Sequence, residues 1–282
     1  MPTHATALTP EDYMPLLRMA LAEDVGTGDV TTDLTVPLGS VGHAVIRQKQ
    51  PGVIFGHQIA EAAFTELDPT IEYARLHDEG VWSESGEIAR IGGPMAALLT
   101  GERTALNFLM HLSGVATAAA KAVQAVQGTS TTILDTRKTT PGMRMLEKAA
   151  VAAGGAANHR IGLHDAILIK ENHIAAAGGI HAAVSVCLAE SDLPVEVEVR
   201  NTDEIEQALA AGARRLLLDN MNTEQLREAV TLVAGRAELE ASGGYRVDNV
   251  REAADTGVDY ISMGSLTHGS PALDLSMIVA GV

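Results

Sequence analysis

The chain has 282 residues, a formal net charge of −16 and a single cysteine, Cys187. This charge argues against nucleic acid as a partner, because a phosphate backbone would be repelled, and one cysteine excludes an intrachain disulfide and a Cys-rich zinc site. The chain does not open on a basic stretch followed by an apolar one, and no apolar run approaches the ~20 residues of a membrane helix. These features predict a cytoplasmic protein that does not enter a membrane.

The N-terminal third predicts a mixture of helices and strands. The sequence Thr-Pro-Glu-Asp at 9–12 favours a helix start, and the helix is expected to reach about residue 23. Segment 26–37 is rich in Gly, Thr and Asp and predicts a loop. Two strands are predicted at 41–49 and 70–77, and a helix is predicted between them at 56–67. We interpret this part as a separate domain.

A long helical stretch is predicted to begin after Pro94 and to run to about Gln127, because apolar residues recur there at helical spacing. Gly101 and Gly114 are candidate interruptions. This stretch is the best candidate for the connection between domains. Arg103 is an isolated charge within it and is either a surface charge or a functional residue.

From residue 131 the chain repeats a short apolar strand followed by an amphipathic helix about six times. Such alternation predicts parallel strands joined by right-handed crossovers, here an open or distorted TIM-like α/β barrel of about six strands. The helices are predicted near 142–153, 179–190, 202–211, 223–234 and 246–256. Polar residues end the strands, namely Arg137, Lys138, Lys170, Glu198, Asp219, Glu240 and Ser242. In barrel enzymes the active site is built at that end.

The strand-end charges divide by sign along the chain. Arg137, Lys138, His159, Arg160 and Lys170 come first, which predicts a basic side suited to a small substrate with several carboxylates. The acidic residues come later, and they suit Mg²⁺, sugar hydroxyls or a developing positive charge; they are Glu198, Asp219 and Glu240. The alternative is that these residues are solvated strand ends or a structural ion network.

Two glycine-rich turns follow the last strands, at 242–244 and 264–269. Backbone N–H groups in such turns can bind phosphate, although a lone Ser-Gly-Gly is often only a turn. Together the charges and turns predict a polycarboxylate, a sugar phosphate and a divalent metal as ligands.

Several long motifs resemble the quinolinate phosphoribosyltransferase family. They are DTRKTTPGMR (135–144), GGAANHRIGLHDAILIKENH (154–173), VEVEV (195–199), LLLDN (216–220) and ELEASGG (238–244), together with EDVGTGDVTTD (23–33) and ERTALNFL (102–109). The resemblance implies an N-terminal α/β sandwich, an open α/β barrel and a homodimer. The corresponding domains are 1–114, 115–269 and a C-terminal segment, 270–282, that packs back on the N-terminal domain.

The resemblance also implies the roles of the site residues. Quinolinate would be bound by Arg103 from the other subunit and by Arg137, His159, Arg160 and Lys170. Phosphoribosyl pyrophosphate would be bound by Lys138, Glu198, Asp219, Glu240, Ser242, Gly243, Gly264 and His268. Catalysis would fall to Lys138, Lys170, Glu198 and Asp219. Glu198 and Asp219 would also hold Mg²⁺, directly or indirectly.

The implied reaction converts quinolinate and phosphoribosyl pyrophosphate to nicotinate mononucleotide, pyrophosphate and carbon dioxide. Three other readings stay open. The first is the molybdenum-locus paralogue on the same fold, against which the retained LIKENH at 168–173 argues. The second is an aldolase with Lys170 or Lys138 as a Schiff-base nucleophile. The third is a phosphate-binding barrel without catalytic activity.

Overall fold

The chain divides into two units, each with its own large sheet. The computed structural model describes residues 7–280. Within these residues, the antiparallel unit consists of 7–120, 140–155 and 270–280, and the barrel unit consists of 121–139 and 156–269. The domain boundaries expected after residues 114 and 269 stay a prediction.

The helices are α1 (Pro10–Val25), α2 (Val30–Thr35), α3 (His57–Leu67), α4 (Met95–Ala125), α5 (Arg144–Ala153), α6 (Glu171–Ala177), α7 (Ile180–Glu190), α8 (Thr202–Ala210), α9 (Thr223–Val233), α10 (Val250–Ala254) and α11 (Ser265–His268). The strands are β1 (Val41–Gln48), β2 (Gly52–Val53), β3 (Glu72–Arg75), β4 (Trp82–Ser83), β5 (Gly86–Pro94), β6 (Thr132–Leu134), β7 (Ile167–Ile169), β8 (Val195–Val199), β9 (Arg215–Asp219), β10 (Glu238–Ser242), β11 (Tyr260–Ser262) and β12 (Leu275–Ala280).

The sheet of the antiparallel unit has the order β12-β1-β5-β3. The predicted strands β1 and β3 and the predicted helix α3 between them are present. Strand β5, which the sequence did not predict, pairs antiparallel with both β1 and β3. Strands β1 and β3 therefore run in the same direction on either side of it. Alternate residues of β1 are buried, so this sheet presents one face to a core.

Two local predictions in the antiparallel unit were wrong. Segment 26–37 is not wholly a loop, because α2 forms within it and Asp29 caps it by accepting the N–H of Thr32 at 3.0 Å. Helix α4 passes through Gly101 and Gly114 without a break. A Cβ at Gly101 would crowd Phe64, and one at Gly114 would collide with the carbonyl oxygen of Pro271, so close packing explains these glycines.

The barrel unit contains the six predicted strands in one parallel sheet, in the order β6-β11-β10-β9-β8-β7. Strands β6 and β7 lie at opposite edges of this sheet, so the barrel is open. A single parallel bridge between Leu134 and Ala157 extends the edge beyond β6. The predicted TIM-like barrel of six parallel strands is thereby confirmed, and α6 and α11 are short additions to the predicted helices.

Residues that pair across parallel strands point to the same side of the sheet. Leu216 pairs with Val197 and with Leu239, and all three are buried. Glu240 pairs with Leu217 and with Tyr260. These three residues lie on the other side of the sheet from Leu216, and that side faces the barrel interior. The interior is therefore partly polar, and its upper end forms the pocket described below.

Among residues 7–280, no single helix is long and apolar enough to cross a membrane. Helices α6 and α7 reach the required length only together, and they meet at an angle of 91°.

Candidate active site

A pocket of about 470 Å³ opens at the carboxyl ends of the barrel strands. Its volume lies within the usual range of small-molecule sites, ~300–1,000 Å³. The sequence-predicted residues that line it are Arg137, Lys138, His159, Arg160, Lys170, Glu198, Asp219, Glu240, Ser242 and Gly243. The structure therefore brings together most of the strand-end residues, from both edges of the sheet.

The buried carboxylate of Asp135 connects the two loops that carry the basic residues. Asp135 follows β6 and accepts hydrogen bonds from the Asn158 side chain at 2.8 Å and from the His159 N–H at 2.7 Å. These contacts hold the loop of Arg137 beside the segment of Arg160. Asp135 was not predicted as a site residue, because it is buried and the prediction rested on the exposed ends of the strands.

The Arg160 guanidinium is buried at the pocket, and one of its N–H groups lacks a hydrogen-bond acceptor among the described residues. Its side chain donates from Nη1 to the Ala166 carbonyl at 3.0 Å, while its buried Nε–H finds no partner within residues 7–280. Burial and the nearby Arg137 lower the pKa of Arg160. Two neighbouring guanidinium groups in a closed pocket favour an anionic ligand between them.

The loop after Arg160 is held by the carboxylate of Asp165. Its two oxygens accept the N–H groups of Ile161 at 2.7 Å and of Gly162 at 2.8 Å. Burial opposes ionisation of Asp165, but these backbone hydrogen bonds lower its pKa overall. The charged form of Asp165 therefore fixes the position of this loop.

The acidic side of the pocket begins at Glu198, which accepts a hydrogen bond from the Lys170 Nζ at 3.1 Å. Asp219, on the next strand, accepts from the side chain of Asn220 at 3.0 Å. Asn220 has a positive φ of 54°, a conformation that asparagine tolerates better than most residues. Carboxylate oxygens of this kind are the ligands that Mg²⁺ prefers.

Each of the two glycine-rich turns packs closely against polar residues. Gly243 has a φ of 121°, and a Cβ at this position would collide with Asn220. At Gly264 a Cβ would lie 2.9 Å from the Lys138 side chain and 3.0 Å from the His268 ring. Both turns thus need glycine so that the backbone can approach its neighbours.

Three predicted residues do not line this pocket, namely Gly264, His268 and Arg103. His268 is exposed beside Gly264, at the edge of the barrel mouth. Arg103 is exposed on α4, in the antiparallel unit.

Beneath the pocket, the buried side chains of Glu196, Arg215 and Glu240 and the partly buried His159 form a ring of contacts, here called the buried quartet. Arg215 donates from Nε to Glu196 at 2.9 Å and from Nη2 to Glu240 at 2.7 Å. His159 Nε2 lies 3.0 Å from Glu196 and 3.5 Å from Glu240. Arg215 also stacks 4.3 Å from the centre of the Tyr260 ring.

Glu196 and Arg215 were not predicted as site residues from the sequence. A signal was nevertheless present, because Glu196 and Glu198 alternate in VEVEV and alternate residues of a strand share a face. Glu240 was assigned to the sugar phosphate, whereas its side chain is fully buried and bonded to Arg215.

Comparison with known proteins agrees with this architecture. The family models described as "Quinolinate phosphoribosyl transferase, N-terminal domain" and "Quinolinate phosphoribosyl transferase, C-terminal domain" match residues 29–113 and 115–278. The chain belongs to the quinolinate phosphoribosyl transferase family. Together the two models cover most of the chain, so both units contain family sequence.

Individual members of the quinolinate phosphoribosyl transferase family match over nearly their whole length. A probable carboxylating nicotinate-nucleotide pyrophosphorylase of Synechocystis sp. is 44% identical, over 93% of this chain and 91% of that protein. The corresponding Bacillus subtilis protein is 42% identical, over 94% and 92%. A solved nicotinate-nucleotide pyrophosphorylase structure from Francisella tularensis has a TM-score of 0.93 and 40% identity, covering 97% of this chain and 98% of that one.

Proposed function

We propose that the protein transfers a phosphoribosyl group from phosphoribosyl pyrophosphate to quinolinate and releases carbon dioxide. The observation that carries this proposal is the buried Arg160 guanidinium, which lies near Arg137 and has an N–H without a partner in residues 7–280. Such an arrangement is incomplete without an anion. Family membership and the names of the relatives support the choice of quinolinate over the paralogue and the non-catalytic barrel.

On the basic side, Arg137, Arg160 and Lys170 bind the two carboxylates of quinolinate in this proposal. Arg160 is preorganised by its bond to the Ala166 carbonyl, so little side-chain freedom is lost when a ligand arrives. His159 contributes mainly by holding this segment, since its ring is already engaged with Glu196.

On the acidic side, Lys138, Glu198 and Asp219 bind phosphoribosyl pyrophosphate, and the turns with Ser242, Gly243, Gly264 and His268 receive its 5′-phosphate. Glu198 and Asp219 fit Mg²⁺, because both carboxylates line the pocket and this ion is usually held by one or two carboxylates together with substrate phosphates. When bound, Mg²⁺ offsets the negative charge of pyrophosphate.

In the proposed reaction, the lone pair of the pyridine nitrogen forms a bond to the anomeric carbon, and the bond from this carbon to the pyrophosphate oxygen breaks. The negative charges of Glu198 and Asp219 stabilise the positive character that develops on the ribose. The carboxylate next to the new cationic nitrogen then leaves as carbon dioxide. Its bonding electrons stay on the ring carbon, which takes up a proton.

The direct test follows carbon dioxide and nicotinate mononucleotide with quinolinate, phosphoribosyl pyrophosphate and Mg²⁺ present. Arg137→Ala should raise the KM for quinolinate about 10- to 100-fold, as expected for loss of a charge-assisted hydrogen bond of ~1.5–3 kcal/mol. The KM for phosphoribosyl pyrophosphate should change far less. Arg251→Ala, on the exposed face of α10, is the control. Equal loss for both substrates would reject the assignment.

We further propose that the protein acts as a homodimer in which Arg103 completes the site of the other subunit. Exposed apolar side chains of the antiparallel unit support this proposal, and they are Val30, Leu34, Leu38 and Val41. Arg103 is exposed and has no assigned role within its own unit. Mixing inactive Arg103→Ala and Asp219→Asn chains should restore activity, because a heterodimer contains one intact site. Failure of exchanged dimers to recover activity would reject the shared site.

A further inference from the structure

The hydrogen bonds of the buried quartet determine where its protons lie. His159 Nδ1 accepts the backbone N–H of Arg160 at 2.7 Å, so this nitrogen carries a lone pair. The ring proton is then on Nε2, 3.0 Å from Glu196, and the imidazole is neutral. Burial acts to lower the pKa of His159 while Glu196 and Glu240 raise it overall. The Arg160 N–H decides between these effects, because a protonated Nδ1 could not accept it.

Charge balance then constrains Glu240. With His159 neutral, the guanidinium of Arg215 neutralises one carboxylate of the quartet, and a second ionised carboxylate would leave a net buried charge. Such a charge is costly in the protein interior, and a buried group usually becomes neutral instead. Burial and the Glu196 carboxylate raise the pKa of Glu240 to about 7, whereas the pKa of Glu196 is lowered. Glu240 is therefore the member of the quartet that holds a proton.

The position of the proton on Glu240 follows from its two oxygens. Oε2 accepts from Arg215 Nη2 at 2.7 Å, and the buried Oε1 finds no hydrogen-bond partner within residues 7–280. Glu240 is also one of the residues that line the pocket. A proton on Oε1 makes this oxygen a hydrogen-bond donor that has no acceptor among the described residues. The neutral form also avoids repulsion between Glu240 and an anionic ligand in the same pocket.

We propose that Glu240 is a neutral carboxylic acid that donates a hydrogen bond from Oε1 to a carboxylate of the bound substrate. Glu240 thereby becomes a specificity residue for the carboxylate ligand rather than a contact of the sugar phosphate. The donor role of Glu240 rests on the proposed function, because quinolinate is the ligand whose carboxylate accepts the hydrogen bond. The protonation of Glu240 does not rest on the proposed function.

Several charged groups surround Glu240 and influence its titration. Those that face it directly are Glu196 from β8, Arg215 from β9 and His159 from the segment after the Leu134–Ala157 bridge. Tyr260 of β11 covers the guanidinium of Arg215. The charged residues of the pocket above are Arg137, Lys138, Arg160, Lys170, Glu198 and Asp219. A bound dicarboxylate would add negative charge and hold the proton on Glu240 more firmly.

The first arm of the experiment measures protonation in the ligand-free protein. Glutamate labelled with ¹³C at the carboxyl carbon gives a resonance for Glu240 that is assigned by its loss in Glu240→Gln. We expect this resonance to titrate near pH 7 in the wild type and in the control Glu238→Gln, which removes a half-exposed carboxylate of the same strand that lies 3.7 Å from Arg215 Nη1. If Glu240→Gln does not fold, loss of the same resonance in Glu240→Asp gives the assignment. A midpoint below pH 5 overturns the proposal.

The second arm measures quinolinate binding by calorimetry between pH 6 and pH 8. Ionisation of Glu240 near pH 7 should raise the Kd about tenfold over this range, with uptake of a proton on binding at pH 8. Glu238→Gln should retain this dependence and Glu240→Gln should lose it. Equal pH dependence in both variants overturns the donor role. If quinolinate binds to none of these proteins, the proposed function is rejected. The protonation of Glu240 is then tested by its titration in the first arm alone.

Discussion

Two clusters of buried polar side chains, one in each unit of the molecule, differ in their charge. In the antiparallel unit, the fully buried His57 contacts the hydroxyl of Tyr73 at 2.8 Å, and burial lowers the pKa of His57 to about 4. Burial likewise raises the pKa of Tyr73, so both groups are neutral. The buried quartet instead keeps an ionised guanidinium and a carboxylate.

This difference indicates what each cluster does. A neutral pair needs only one hydrogen bond to be accommodated in a core. A buried ion pair is weak evidence for stability, because desolvation offsets much of its attraction. The charges of the quartet lie directly beneath the pocket, and His159 connects them to the segment of Arg160. The barrel interior therefore combines support of the fold with organisation of the site.

The largest effect should come from replacing Arg215. Arg215→Met leaves the Glu196 carboxylate without its cation and Glu240 without its hydrogen-bond donor, and removal of one partner of a buried ion pair typically costs about 3–5 kcal/mol. The free energy of unfolding in urea at pH 7 measures this cost. Arg214→Met, at the exposed neighbouring position, is the matched control. A loss no greater than that of the control would show that the barrel interior does not depend on its ion pairs.

An intermediate effect is expected from the pH dependence of the antiparallel unit. The pKa of His57 is about 4 in the folded protein and ~6.5 in an unfolded chain, so the unfolded state binds the extra proton first. Stability is fully present above pH 6.5 and falls as the pH decreases toward 4, by about 3 kcal/mol in total. Urea unfolding of wild type and His57→Gln between pH 7 and 4.5 measures the difference.

The control for this titration is His181→Gln, at an exposed position of α7. It should follow the wild-type curve, whereas His57→Gln should lose less stability on acidification. If the wild type and His57→Gln lose stability in parallel, His57 is not buried as a neutral group and the contrast between the two clusters disappears.

Sequence-based prediction was more accurate for the barrel unit than for the antiparallel unit. The six barrel strands and their terminal charges could be predicted because each strand and helix has a local pattern, and the parallel repeat brings the strand ends together. Strand β5 was missed because its glycines weaken the local signal and its partners β1 and β3 are distant in sequence. Arg215 was missed because its role depends on alignment across three strands.

Helix α2 shows why local chemistry can be ambiguous. The carboxylate of Asp29 bonds to the N–H and hydroxyl of Thr32, a pattern shared by helix caps and by turns. The sequence Gly-Thr-Gly before it favoured the loop interpretation. Only the continuation of helical hydrogen bonds to Thr35 distinguishes the two outcomes.

The smallest expected effect tests the capping of helices in the two units. Asn222 caps α9 by accepting the N–H of Gln225 at 3.0 Å, and the Gln225 side chain accepts the Asn222 N–H at 2.9 Å. Helix α3 instead has Gly56 at its start, and the distant Glu79 accepts the N–H groups of Gly56 and His57. The barrel helix is thus capped locally, whereas the helix of the antiparallel unit depends on tertiary structure.

Asn222→Ala should therefore lower the free energy of unfolding by about 1 kcal/mol, the usual cost of losing such a cap. Asn222→Asp keeps an acceptor at this position and places a negative charge at the positive end of the helix, so it should retain most of the stability. Urea unfolding at pH 7 of both variants measures the effect. Equal losses in the alanine and aspartate variants would mean that tertiary packing rather than the local capping box holds the start of α9, as it does at α3.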